Sequence, residues 1–268
     1  MKQKILSIFT RTPLHVGAGS SVGAVDQPVI RERHTRFPVI PGSSIKGVLR
    51  DDFGNDEAIR DIFGEQDFAG SISFGEAHLV AFPLRSAKAA FAFAVSPLTL
   101  QRFARDACFN LEVPENIENM TCLASDGVVI DDTSVVLEEY CFKKAGEFPK
   151  EWAEKLTGLL DDAVLSGSGN RFILISDSDL SHFAQHACQI SQHVRIDDET
   201  GTAGTAEGSG LFNEETVPSE TLFYASLGIL RETPSVEGFI EHLTSESLIQ
   251  FGGKGTTGLG YCTTKIIS

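Results

Sequence analysis

Residues 25–51, VDQPVIRERHTRFPVIPGSSIKGVLRD, decide how the rest of the chain is read. From Arg31 to Arg50 this stretch carries five cations (Arg31, Arg33, Arg36, Lys46 and Arg50) against Glu32 alone. That local +4 leaves −19 for the rest of a chain whose formal net charge is −15. Charge concentrated in this way has a physical use. The second half, from PGSS onward, reads as a short helix with Ser43 as N-cap, which puts Lys46 at about the third helical position. A capping box would want Glu or Gln there, and the helix dipole disfavours a cation in the first turn by roughly a few tenths of a kcal/mol. The sign reverses if an anion sits at the helix start, held by free N–H groups, the hydroxyls of Ser43 and Ser44, and Lys46. Lys46 as a plain solvated residue is the competing reading. Arg50 one turn on and three arginines upstream tip the choice toward phosphate.

Outward from this stretch, 268 residues make one large domain or two small ones. The composition, 41% hydrophobic and 22% charged, is that of a soluble globular protein. No apolar run approaches membrane-spanning length, and MKQKILSIFTRTP does not read as a signal peptide. Five scattered cysteines with no CxxC indicate neither a zinc ribbon nor a redox pair, so a reduced cytoplasm is the expected setting. A pI near 4.8 argues against indiscriminate nucleic-acid binding but leaves room for a focused basic groove.

Residues 4–16 read as a first strand, closed by the flexible GAGSSVGA. Helices are expected over 43–53, 56–64, 97–109, 148–160, 179–190 (opened by Asp177 or Asp179) and 235–244. Strands are expected over 70–84, 89–97, 134–144, 171–177 and 221–230, with a strand–glycine loop–strand over 247–267. Elements mix without regular βαβ alternation, which favours α+β with a largely antiparallel sheet over a doubly wound fold. Residues 194–218, long and rich in small residues, read as a projecting hairpin arm or a disordered loop.

Several residues carry candidate chemistry. Asp26 either pairs with a neighbouring arginine or holds a divalent metal, which binds through one or two carboxylates plus substrate oxygens. His15 flanks the same loop and can approach it, or is a strand-end histidine without chemistry. In GGKGTTGLG (252–260) a GxGxxG appears, but too little chain follows for a dinucleotide fold, and Leu248 stands where a Walker motif needs Gly. A phosphate-packing turn built on Gly253, Lys254 and Gly255 remains, or a plain hairpin. His182 and His186 have metal-ligand spacing but lack the partner of a zinc protease, so a solvated pair is expected. Glu214 and Glu215, at the base of the arm, are surface acids by default or completers of a metal site.

Taken together, TPLHVGAG (12–19), VDQPVIRERHT (25–35), FPVIPGSSIKGVLRD (37–51), GEAHLVAFPLRS (75–86), LFNEETVP (211–218), TLFY (221–224) and GGKGTTGLG resemble the RAMP superfamily of CRISPR proteins. Within it they are most similar to the backbone subunit of the type III-B (Cmr) effector complex. IPGSSIKG alone occurs in related members, including the Csm-type backbone subunit. The resemblance implies one domain over 1–268: a modified ferredoxin-like (RRM-like) palm with finger insertions and a thumb hairpin over 194–218. It implies copies polymerised along a CRISPR RNA beside other Cmr subunits, and cleavage of target RNA with a divalent metal, Mg or Mn. By motif position the metal-holding catalytic residue is Asp26, with His15 and the glutamate Glu215 as helpers. Arg31, Arg33, Ser43, Ser44, Lys46, Arg50, Gly253, Lys254 and Gly255 fall where the family grips guide RNA. A silent RNA-binding scaffold, with Asp26 paired to Arg31 or Arg33, stays open. So does a small-molecule phosphate enzyme using the PGSSIKG helix start.

Overall fold

A computed structural model describes residues 2–19, 24–54, 56–194, 196, 201, 210–245 and 247–267. Its strands are β1 (Lys2–Thr10), β2 (Ile72–Arg85), β3 (Phe91–Val95), β4 (Thr121–Ala124), β5 (Ser134–Leu137), β6 (Tyr140–Glu147), β7 (Phe172–Leu174), β8 (Gln189–Val194), β9 (Leu211–Thr216), β10 (Leu222–Ile229), β11 (Ser247–Gln250) and β12 (Tyr261–Ile267). Its helices are α1 (Gly42–Phe53), α2 (Asp56–Phe63), α3 (Pro97–Asp106), α4 (Lys150–Thr157), α5 (Ala163–Ser166), α6 (Asp177–His186) and α7 (Pro234–Thr244).

Ten strands form one sheet in the order β11-β12-β1-β10-β2-β3-β7-β4-β6-β5, antiparallel except at β3–β7 and β4–β6. Strand β1 is paired on both edges, by β10 and β12, and is buried from Ile5 to Thr10. Its alternation sorts side chains between two cores. Leu6 and Ile8 join Ile45 and Leu49 of α1, Ile62 of α2 and Phe239 of α7. Ile5 and Phe9 join Leu100 and Phe103 of α3 with Trp152 and Leu156 of α4. The sheet therefore lies between two helical layers, and the mixed, mainly antiparallel architecture expected from the sequence is present.

Several expected elements differ in their bounds. The first strand stops at Thr10, because Pro13 follows; beyond it the chain makes isolated bridges, Leu14 to Val217 and Gly17 to Val29. The strand expected over 134–144 is a hairpin, β5–β6, turning at Glu138 with φ +50°. α6 is capped by Ser176, whose hydroxyl accepts from Asp179 N–H, rather than by Asp177 or Asp179. It ends at His186, and the expected last turn of that helix is the start of β8. β8 and β9 pair antiparallel as a separate two-stranded ribbon, from Gln189↔Thr216 to Val194↔Leu211. The acidic, glycine-rich tip expected between them lies largely outside the described residues.

Candidate functional site

Three chain segments meet at the base of the β8–β9 ribbon. Residues 26–29 run beside β9, with Gln27 bridged in parallel to Glu214; Gln27 N donates to Asn213 O and Glu215 N to Gln27 O, each at 3.0 Å. The loop after β1 is tied in through Leu14↔Val217 and Gly17↔Val29. The glycine loop closes on the same place: Gly253 N donates to the His15 carbonyl at 3.0 Å. A Cβ on Gly252, at φ +75°, would lie 2.3 Å from that carbonyl oxygen, so only glycine permits this approach.

Asp26 is exposed, and its Oδ2 accepts the Asn213 N–H at 2.8 Å. The carboxylate is thus aimed by the ribbon backbone. It pairs with neither Arg31 nor Arg33 among the described residues, which removes the contact that the scaffold reading invoked.

The two glutamates beyond Asn213 alternate to opposite sides of β9. Glu214 is 1% exposed. Its Oε2 takes Lys254 Nζ at 2.6 Å and lies 3.0 Å from His193 Nε2. Its Oε1 has no hydrogen-bond partner among the described residues, and His15 Nδ1 stands 3.6 Å away. Glu215 faces the other way, accepting Arg31 Nη2 at 2.6 Å and the Val29 N–H at 3.0 Å. Arg31 also donates to the carbonyls of Ala184 and Arg36 and to Cys188 Sγ. Burial pushes the Cys188 thiol up to about 11, against the opposing pull of Arg31.

Several of the expected site residues are engaged within the protein in this geometry. The Arg31 side chain is only 8% exposed and fully engaged inside, so it cannot lie on a solvent-facing cationic track. Glu215 is its buried counter-ion. The His15 ring is buried; its Nδ1 donates to the Glu215 carbonyl at 2.8 Å, so it pins the loop after β1 to β9. Lys254 turns inward to Gln27 and Glu214, while Gly253 spends its N–H on His15 and Gly255 packs on Gln250.

The remaining cations do face solvent. On α1, Ser43, Lys46, Gly47 and Arg50 form one exposed stripe at i, i+3, i+4 and i+7, with Ile45 and Leu49 on the buried side. Neither Lys46 nor Arg50, nor the exposed Arg33, pairs with an acid among the described residues. The helix starts two residues earlier than a Ser43 cap implies: Pro41 is the N-cap and makes no side-chain cap, so Lys46 is the fifth helical residue. Gly42 opens the helix because a Cβ there would meet the Phe74 carbonyl at 2.3 Å. His182 and His186 stack on one another, and His182 Nε2 lies 3.1 Å from Tyr140 Oη, as a surface pair.

A second polar knot, invisible in the sequence, holds the 31–36 turn. Glu32 is buried and accepts from both sides: Arg102 Nη1 reaches its two oxygens at 2.9 and 3.0 Å, His78 Nδ1 at 2.9 Å, and Thr35 Oγ1 adds a third donor. Burial alone would raise its pKa, but the His78, Thr35 and Arg102 hydrogen bonds outweigh it and hold the carboxyl at about 2. Glu32, Glu76 and His78 are close enough to share a metal ion, though Arg102 already occupies the Glu32 carboxylate.

At Asp26 the donor set is one exposed, backbone-anchored carboxylate. A hard divalent cation completed by substrate oxygens suits such a set. No helix among the described residues is long and apolar enough to cross a membrane.

The RAMP superfamily model matches residues 8–263. The Cmr endoribonuclease Cmr4 of Pyrococcus furiosus is 36% identical over 97% of this chain and 94% of its own. Oligomeric Cmr4 from Pyrococcus furiosus superposes with a TM-score of 0.77 at 30% identity, covering 100% of this chain and 98% of that one. A chain of a type III-B Cmr-beta complex bound to cognate target RNA has the same fold, with a TM-score of 0.77 at 21% identity over 99% and 97% of the two chains.

Proposed function

The chain belongs to the RAMP superfamily, and from that premise we propose that it is the backbone subunit of a type III-B (Cmr) CRISPR effector complex that cleaves target RNA paired to a guide. Its near-full-length likeness to a Cmr endoribonuclease supports the activity. The oligomeric state of the Pyrococcus furiosus relative supports self-assembly. Several copies would line one CRISPR RNA beside other Cmr subunits, in the reduced cytoplasm expected from the cysteine pattern.

Strands β12-β1-β10-β2, with α1 after β1 and α7 after β10, follow the 4-1-3-2 order of a ferredoxin-like βαββαβ unit, which we take as the palm. The long excursion between β2 and β10 then supplies the fingers, and the β8–β9 ribbon the thumb. All belong to a single RAMP domain.

The observation that carries the cleavage reading is Asp26, an exposed carboxylate aimed by the Asn213 N–H at the ribbon base. Target RNA bent at the ribbon would present a 2′-hydroxyl in line with its adjacent phosphate. Asp26 would hold a divalent cation, Mg or Mn, that neutralises charge on that phosphate. Arg33, Ser43, Ser44, Lys46 and Arg50 would grip the guide backbone without reading bases. The chain's −15 net charge confines that grip to the local cationic stripe.

Reconstitution with a CRISPR RNA tests this. Complementary RNA should be cut at regular intervals in magnesium or manganese and remain intact in EDTA. An assembled complex that binds target without cutting it would leave only a scaffold.

A further inference from the structure

His15, the histidine singled out by the sequence, is sealed beneath the glycine loop. The imidazole that reaches solvent at this site is His193. It lies on β8 directly opposite Phe212 of β9, the two rings stacked with centroids 5.2 Å apart. Its side chain is 45% exposed, yet its Nε2 is 3.0 Å from the buried Glu214 carboxylate. A carboxylate oxygen accepts, so Nε2–H is the nitrogen turned to Glu214, and in the neutral imidazole that leaves the lone pair on Nδ1. Glu214 is held in turn by Lys254, and it directly follows Asn213, whose N–H aims Asp26. His193, Phe212, Glu214 and Lys254 line a cavity of about 400 Å³ between ribbon and glycine loop, with Pro13 and Leu259.

We propose that His193 is the general base of the cleavage reaction, an assignment that rests on the endoribonuclease reading above. Its Nδ1 takes the proton of a target 2′-hydroxyl as the 2′-oxygen forms its bond to the adjacent phosphorus. The bond from phosphorus to the 5′-oxygen breaks, and that oxygen takes a proton from water. The products are a 2′,3′-cyclic phosphate and a 5′-hydroxyl. Glu214 fixes the tautomer and faces the imidazolium that forms, as the buried carboxylate does in hydrolase triads. Among the described residues, the charged and titratable groups that face this dyad are Lys254 of the glycine loop, 2.6 Å from Glu214, and His15 of the loop after β1, 3.6 Å from it.

The test is single-turnover cleavage by the reconstituted complex from about pH 5 to pH 9, comparing wild type, His193→Ala and His193→Gln. General-base catalysis is worth roughly 100-fold or more. Both variants should bind target normally, cut about 100-fold more slowly and lose the fall in rate on the acid side. Added imidazole should restore part of the alanine variant's rate. Gln keeps an N–H donor for Glu214, so it separates proton transfer from a strut. A wild-type rate in His193→Gln, or an unchanged pH profile in either variant, would overturn the assignment. If the wild-type complex cuts in an Asp26-dependent way while His193 is dispensable, the base alone is wrong. A wild-type complex that binds but never cuts removes the cleavage reading and His193 with it.

Discussion

Replacing Glu215 with Ala should destabilise the fold rather than merely slow a reaction. The Arg31 and Glu215 side chains are 8% and 10% exposed, with Nη2 and Oε1 2.6 Å apart. Removing one partner of a buried pair leaves an uncompensated charge, at a cost of about 3–5 kcal/mol. The Val29 N–H would also lose its acceptor, about 1 kcal/mol or more. Two carbonyls still accept from Arg31, which holds the total near the lower end, about 4 kcal/mol. In a chain of this size that lowers Tm by roughly 10 °C. Urea denaturation and thermal melting read the loss directly. Glu215→Gln keeps an oxygen for Val29 and should lose about half as much. Adding Arg31→Met to Glu215→Ala removes the stranded charge and should recover part of the loss, with a coupling of about 2 kcal/mol. If Glu215→Ala costs under about 1 kcal/mol, or the double variant shows no coupling, the two residues are not a buried pair and the inward placement of Arg31 is wrong.

Two further outcomes follow from the same contacts. Glu32 is held at about 2 against an ordinary 4.5, so its contribution is complete above pH 4.5 and is lost as pH falls toward 2. That is about 3 kcal/mol of acid-limb stability, which should be absent in Glu32→Gln; equal acid sensitivity of the two proteins would contradict it. Lys46→Gln and Arg50→Gln should weaken guide RNA binding equally for all sequences, each lowering the slope of log K against log salt by roughly 0.7. Sequence-selective losses would refute backbone recognition.

What the sequence disclosed and what it hid divide along physical lines. Helical spacing reveals a face, so the Lys46–Arg50 stripe was legible once the helix was. Likewise β1 and β10 were legible as strands, while their central place in the sheet became visible only in the fold. Direction within a loop is another matter. Arg31 and Arg33 look equivalent in the chain, yet one finds its carboxylate 184 positions away and the other faces water. His193 carried no signal, since its partner Glu214 lies across the ribbon and is fixed only by the β8–β9 register. Glu32 reads as the odd acid of a basic run, and only the fold brings Arg102 and His78 onto it. The helix start shifted because backbone packing of Gly42 on β2, rather than the Ser43 hydroxyl, sets where α1 begins.

The central claim is that the ribbon backbone holds Asp26 out to act on bound RNA. Its most direct measurement compares wild-type and Asp26→Asn complexes, assembled on the same guide, for target affinity and for cleavage in magnesium. The asparagine keeps an oxygen for the Asn213 N–H, so affinity should stay unchanged while cleavage disappears. Cleavage at an undiminished rate would show that the carboxylate takes no part.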